Sequence, residues 1–377
     1  MTADREDGAA GSVTADEAAL YDRQIRLWGL DTQNRMRSAH VVIVGLTGTA
    51  AEVVKNTVLA GVGSVTVIDD GTIQAADLSA CFFFRGDDVG RSRVSDAPLR
   101  RIEQLNPLVR VRGTASRAPL ASDDAFAALR ADVLVATTGW RADLIAWNAR
   151  CRASGAAFFA ASTQGLSGYM FTDLGADYAY ITQRPAPPQD GAAGAKRQVR
   201  HRQAFVPLDA SLSVTWGDSG TRAVGSQGLP RGPRLRQPSA GLFATWALWE
   251  LHARLLAGTA ALAEGNERIP RLAADLNEVT AALLREKSVD PSLVFERQHV
   301  DRGQFFLGFA RACVGALDGG ECAAFAPTCA VLGGLLAQDL LNALGHREEP
   351  LVNWCVLDAG RGVAPIFSVG APSPREE

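Results

Sequence analysis

Short apolar runs alternate with helix-period stretches along the first half of this chain. His40 to Gly45 reads as a buried strand, and the small-residue turn Gly45-Leu46-Thr47-Gly48-Thr49-Ala50 feeds an amphipathic helix to about Leu59. Gly61-Val62-Gly63 ends that helix, and Ser64 to Ile68 forms a second strand closing on Asp69-Asp70. Strand, glycine turn, helix and strand in this order make a βαβ unit of the mononucleotide-binding type.

Residues 1 to about 14 have the polar, acidic pattern of a disordered tail. Thr14 followed by Glu17 is a capping-box start to a first helix carrying Tyr21-Asp22-Arg23-Gln24-Ile25-Arg26-Leu27-Trp28-Gly29, and a second helix spans about Asp31 to Ser38. Downstream, the pattern predicts a helix from about Arg91 to Leu105, stopped by Asn106-Pro107, and a strand over Val109 to Gly113. A helix over Asp123 to Arg130, a strand over Asp132 to Thr137, a helix over Leu144 to Ser154 and a strand over Ala157 to Ala161 follow. Gly165 to Asp173 and Tyr178 to Thr182 read as two extended segments of a meander. The alternation predicts an α/β fold, a Rossmann-like and mostly parallel sheet flanked by helices.

That pattern breaks at Gln183. Residues 183–300 read as an inserted, partly disordered middle segment between a first part of the domain (15–182) and its return (301–377). Within it, Arg184 to Arg197 and Gly217 to Pro238 are loop-like, Gln203 to Val214 suits a strand, and Ala240 to Leu256 and Ile269 to Leu284 suit helices. Lys196 to Arg202 reads either as a nuclear-import signal or as a solvated loop. Phe325-Ala326-Pro327-Thr328 opens a helix to Leu344 that is apolar nearly all round, and so is expected in the core or against a second subunit. Val352 to Leu357 is a late strand.

Composition narrows the functions. With 377 residues and 47% hydrophobic content the chain can bury a large core, and a net charge of -3 argues against a general nucleic-acid or membrane-surface role. The N-terminus does not resemble a signal peptide, and no run looks long enough to span a bilayer. The six cysteines are scattered without a CxxC pair, which points to reduced, buried thiols rather than a zinc site or a disulfide framework.

The glycine turn is where chemistry is expected, and it is altered. A phosphate loop uses one glycine for the tight turn, one for close backbone approach and one for helix–strand packing. Gly45 and Gly48 are present, but the approach position is Thr47 and the third is Ala50. A β-branched side chain at Thr47 crowds an incoming phosphate, so the reading favoured here is a βαβ fold without a nucleotide.

In order along the chain, YDRQIRLWG, VVIVGLTG, VVKNTVLAGVGSVTVIDD, DVGRSR, the LNP after it and FAPTCAVLGGLLAQDLLNAL resemble the ubiquitin-activating enzyme superfamily. Within it they look most like the smaller, regulatory subunits of heterodimeric SUMO-activating enzymes. The likeness covers residues 16 to about 172 and 322 to 360. It implies two homologous Rossmann-like halves, of which one adenylates the modifier's C-terminus. The active half carries D-x-D-x-x-x-x-x-N-x-N-R-Q-F after strand two. Here the ribose aspartate falls on Gly71, both asparagines are missing and the phosphate arginine falls on Ala80. The family lysine falls on Arg93, the Mg²⁺ aspartate is replaced in the segment Ala136 to Trp140, and no thioester cysteine in a C-T-x-x-x-x-P context occurs.

The resemblance therefore implies a non-adenylating subunit that binds no cofactor or metal of its own. ATP and Mg²⁺ would sit in a larger catalytic partner subunit, with a SUMO-type modifier engaged indirectly and a nuclear, or also cytoplasmic, location. It further implies that Arg23 crosses to the partner's ATP site as an arginine in trans. A guanidinium suits that role because it is always charged and donates in a planar fork. Arg26 is read as a helper or a structural ion-pair residue, and Arg23 itself has a surface salt bridge as its alternative reading. Two rival functions stand beside this one. They are a self-sufficient homodimeric adenylyltransferase of the molybdopterin or thiamine pathway type, and a nicotinamide-binding Rossmann oxidoreductase.

Overall fold

Val41 and Ile43 of strand β1 (His40–Val44) are buried on one face and Val42 and Val44 on the other, so this strand needs helices on both sides. The computed structural model supplies them; it describes residues 19–185, 196–216 and 238–376. After α1 (Asp22–Trp28) and α2 (Leu30–Ser38) come β1, α3 (Gly48–Ala60), β2 (Ser64–Ile68), α4 (Asp96–Glu103) and β3 (Arg110–Thr114). Next are α5 (Asp123–Leu129), β4 (Val133–Ala136), α6 (Arg141–Ser154), β5 (Ala157–Gln164), β6 (Ser167–Asp173), β7 (Tyr178–Pro185) and β8 (Lys196–Gln203). The rest are α7 (Leu208–Ser213), α8 (Ala240–Leu256), α9 (Arg268–Glu286), α10 (Pro291–Val294), α11 (Arg302–Cys313), α12 (Ala326–Gly345), β9 (Trp354–Asp358), β10 (Ile366–Phe367) and β11 (Arg375–Glu376).

Eight strands form one sheet in the order β10-β9-β6-β5-β4-β1-β2-β3. The block β3-β2-β1-β4-β5 is parallel, and β6, β9 and β10 are added antiparallel. Because β1 pairs with β2 on one side and β4 on the other, the chain reverses its winding there, and a crevice opens at the carboxyl ends of these strands. One face is covered by α3 and by Leu332, Leu336 and Leu340 of α12, the other by α6, α8, α9 and α11. Trp354 on β9 is the hub of the second face, with Trp246 and Trp249 of α8 at ring distances of 5.6 and 6.2 Å.

Several sequence expectations change. The helix expected from Arg91 begins only at Asp96, because Arg93 and the turn before it are drawn into the crevice. Strands β6 and β7 form no meander. The first pairs with β5 and β9, while β7 joins a separate sheet in the order β11-β8-β7. The basic stretch from Lys196 is a strand rather than a loop, with Val199 and His201 buried on one side. Gln203 to Val214 is the end of that strand and the helix α7, not a strand of its own.

Helix α8, assigned from composition to the inserted segment, lies on the main sheet. It is apolar nearly all round, so only the core accommodates it. The expectation that no run reaches membrane length also needs correcting. Ala326–Gly345 is long and apolar enough by composition, but it packs one face onto the sheet. The Thr14 capping box and the Gly217 to Pro238 stretch, apart from Pro238, lie outside the described residues.

Candidate functional site

The turn after β1 is held by its own chain. Gly45 has φ +86°, and a Cβ there would run into the Thr138 side chain. Thr47 is the N-cap of α3. Its hydroxyl accepts from the Ala50 N–H at 3.2 Å and donates to Thr137 Oγ1 at 3.0 Å. The Asp69 carboxylate accepts from the Leu46 N–H at 2.6 Å and from the Gly71 N–H at 2.8 Å. Backbone donors that a phosphate would need are thus already engaged by a hydroxyl and a carboxylate. Where the family's phosphate arginine falls, Ala80 instead packs against Gly48, 2.7 Å from where a Cβ would stand.

A crevice of about 630 Å³ remains beside this turn. Two arginines line it: Arg117, paired with Asp70 at 2.9 Å, and Arg93, only 6% exposed, which meets three carboxylates. It donates to both Asp77 oxygens at 2.9 Å, hydrogen-bonds Glu321, and lies 3.6 Å from Asp69. Burial works against the Arg93 charge, but Glu321, Asp69 and Asp77 more than reverse it, so its pKa moves up. Burial also pushes the Glu321 carboxyl up, with Arg93 opposing. Three carboxylates around one guanidinium make this cavity a poor host for a polyphosphate, whose charge they repel. Cys81 lines it too, its thiol pushed up to about 12 by burial and so not a nucleophile at neutral pH. Among the described residues no group of three or more His, Cys, Asp or Glu is arranged to hold a metal ion. The crevice does not fit Mg·ATP.

Arg23 and Arg26 lie elsewhere, on α1. Arg26 pairs with Asp22 one turn back, at 3.0 and 3.1 Å, with both side chains exposed. Arg23 is exposed and has no ion-pair partner among the described residues. Tyr21 and Trp28 of the same motif anchor the helix. The buried Tyr21 ring rests on Gly61, where φ is +82° and a Cβ would sit 2.5 Å from the phenol oxygen. Asn106 of the LNP segment donates to Tyr21 Oη at 2.7 Å and to the Val58 carbonyl at 2.9 Å. Trp28 donates to Gln33, and Gln33 to the Ala60 carbonyl. Arg347, beyond α12, donates to the Trp28 carbonyl.

All these anchors sit at the C-terminal end of α3 or beyond it. Thirteen helical residues separate that end from the Thr47 turn, which at 1.5 Å per residue is roughly 20 Å. Arg23 and Arg93 therefore belong to different places. Sequence reasoning placed Arg93 in the lysine frame but missed Asp77 and Glu321. Glu321 comes from the loop before α12, 228 residues away, and no local pattern links it to the crevice.

Comparison with known proteins gives the context. The model of the ThiF family matches residues 21–365. The chain is 28% identical to "SUMO-activating enzyme subunit 1" of Homo sapiens, with 96% of this chain and 98% of that protein covered. It is 29% identical to the protein of the same name from Rattus norvegicus, over 96% of this chain and 97% of the relative. Among solved structures, the crystal structure of selenomethionine PaaA superposes with a TM-score of 0.50 at 12% identity, covering all of this chain and 77% of that one; this likeness is one of fold. The resemblance drawn from the motifs agrees with the family match, and the relatives, covered over nearly their whole length, carry the name of a SUMO-activating enzyme subunit. The chain belongs to the ThiF family.

Proposed function

We propose that this chain is the non-adenylating subunit of a heterodimeric SUMO-activating enzyme and that Arg23 acts in trans on the ATP bound by a larger partner. The observation that carries this reading is the separation of two arginines. Arg93 in the chain's own crevice is neutralised by carboxylates, whereas Arg23 is exposed, has no ion-pair partner among the described residues and stands on a helix anchored at the far end of α3. An arginine side chain reaches well short of roughly 20 Å, so Arg23 cannot serve the crevice of its own chain. Curated relatives matched over nearly their whole length carry the name SUMO-activating enzyme subunit 1, which supports an activating-enzyme role. Exposed apolar side chains beside Arg23, Leu27 and Leu30, and on α12, Val331 and Leu335, suit docking of a partner subunit. Arg26, exposed and paired with Asp22, is read as a helper beside Arg23.

A fixed guanidinium at the partner's triphosphate would stabilise charge developing as pyrophosphate leaves. Removing one such donor typically costs about a hundredfold to a thousandfold in rate. The test is to copurify the chain with a larger activating subunit and follow modifier-dependent ATP–pyrophosphate exchange. Arg23→Ala should copurify normally and exchange slowly. Undiminished exchange removes Arg23 from the reaction, and failure to copurify with any larger subunit removes the heterodimer.

A further inference from the structure

A second pocket, of about 220 Å³, lies between the start of α6, helix α8 and the end of α9. Among its lining residues are Arg141, Trp246, Glu250, Arg254, Glu286 and Lys287. We propose that it is a binding site for a phosphate group, separate from the crevice at the Thr47 turn.

What is unusual here is a surplus of buried donors. Trp246 is only 4% exposed, and its indole N–H has no hydrogen-bond partner among the described residues. An indole nitrogen donates and cannot accept, so an acceptor oxygen brought against it would satisfy it. Lys287 is likewise 4% exposed, and its ammonium donates to Glu286 at 2.9 Å. An ammonium carries three donors. Glu286 is largely exposed, at 64% of its side chain, and is free to swing toward water when a stronger acceptor arrives.

The two arginines share a single carboxylate. Arg254 Nε lies 3.1 Å and an Arg141 terminal nitrogen 3.5 Å from the Glu250 oxygens. The three cations and two carboxylates leave one net positive charge. An apolar ligand would leave the Trp246 and Lys287 donors unsatisfied, and a cation would be repelled. Donor-bearing residues from three parts of the chain line the pocket, and a tetrahedral oxyanion has several oxygens that can accept from different directions. Phosphate chemistry can reach this pocket as the free ion or on a phosphorylated side chain.

The full-length chain is titrated with inorganic phosphate and, in parallel, with O-phospho-L-serine, by calorimetry and by thermal melting. Saturable binding of either is expected, and whichever binds more tightly identifies the source. Lys287→Met should weaken it about tenfold or more, the change expected from deleting a charge-assisted hydrogen bond, with Trp246→Phe giving a smaller loss. Circular dichroism checks that both variants fold, and Arg254→Gln at the rim supplies an independent variant if one does not. No saturable binding of either probe, or binding that folded variants leave unchanged, overturns the proposal.

Discussion

Arg93 and Arg23 show two opposite fates of a guanidinium in one fold. The first sits where a nucleotide-binding relative would meet phosphate, yet it is turned inward onto Asp69, Asp77 and Glu321. The second projects from a short helix anchored through Tyr21 and Trp28 at its two ends. A buried charge outnumbered three to one by its own chain's carboxylates is unavailable to a ligand. A charge left bare on a rigid mount contributes nothing measurable to stability and is available to another molecule.

The comparison breaks most visibly at Arg93. Arg93→Ala leaves three partly buried carboxylates without a counter-charge and should destabilise the chain by about 3–5 kcal/mol, read as a large fall in the urea midpoint. A loss below about 1 kcal/mol would mean that the crevice solvates those carboxylates freely, and the contrast with Arg23 would disappear. Next in size is Arg23→Ala, with its slowing of exchange in the heterodimer. Its stability should stay within about 0.5 kcal/mol of the parent, since the side chain is exposed and has no ion-pair partner among the described residues.

Asp339 sharpens the same point from the other direction, as a buried carboxyl with no ion-pair partner among the described residues. It lies in α12, accepting from the Leu351 N–H at 2.9 Å and from the Thr172 hydroxyl at 3.2 Å. Burial raises its pKa to about 7, the two hydrogen bonds opposing. A carboxyl with a raised folded-state pKa binds its proton more tightly when folded. Its contribution to stability is therefore complete below about pH 4 and is lost as pH climbs toward 7, then stays flat. Stability should fall by about 4 kcal/mol across that window, and Asp339→Asn should flatten the profile. A variant whose stability still declines equally between pH 4 and 7 would place the titration on another group.

How much of this was readable beforehand follows the range of the interactions. The parallel block was legible because Val41 to Val44, Val65 to Ile68 and Leu134 to Ala136 are local apolar runs between turn signals. The altered turn was legible too, since glycine requirements are set within a few residues. The second sheet was not: β7 and β8 pair across a Pro/Gly-rich stretch, and β8 reads as a charged loop until its alternate residues are buried. Neither was the Arg93 cluster, which draws on β2, the turn after it and a loop more than two hundred positions later. The phenol of Tyr21 and the amide of Asn106, in two separate motifs, likewise acquire their shared meaning only on meeting at Gly61.

The smallest expected effect is at Thr47. The sequence argument treats its side chain as an obstruction, whereas the structure gives it a task as the cap of α3, bridged to Thr137. Thr47→Gly restores the close-approach glycine of a phosphate loop and removes that hydroxyl. Glycine is itself a tolerable N-cap, so stability should fall by only a few tenths of a kcal/mol for the cap, and by about 1 kcal/mol with the lost hydrogen bond. Mg·ATP binding should nonetheless stay absent by calorimetry. The Leu46 and Gly71 N–H groups would still face Asp69, Ala80 would still fill the place of the phosphate arginine, and Arg93 would still be surrounded by carboxylate. Saturable nucleotide binding on this one change would locate the whole loss of function in a single β-branched side chain. The separation between an inward and an outward arginine would then be incidental to it.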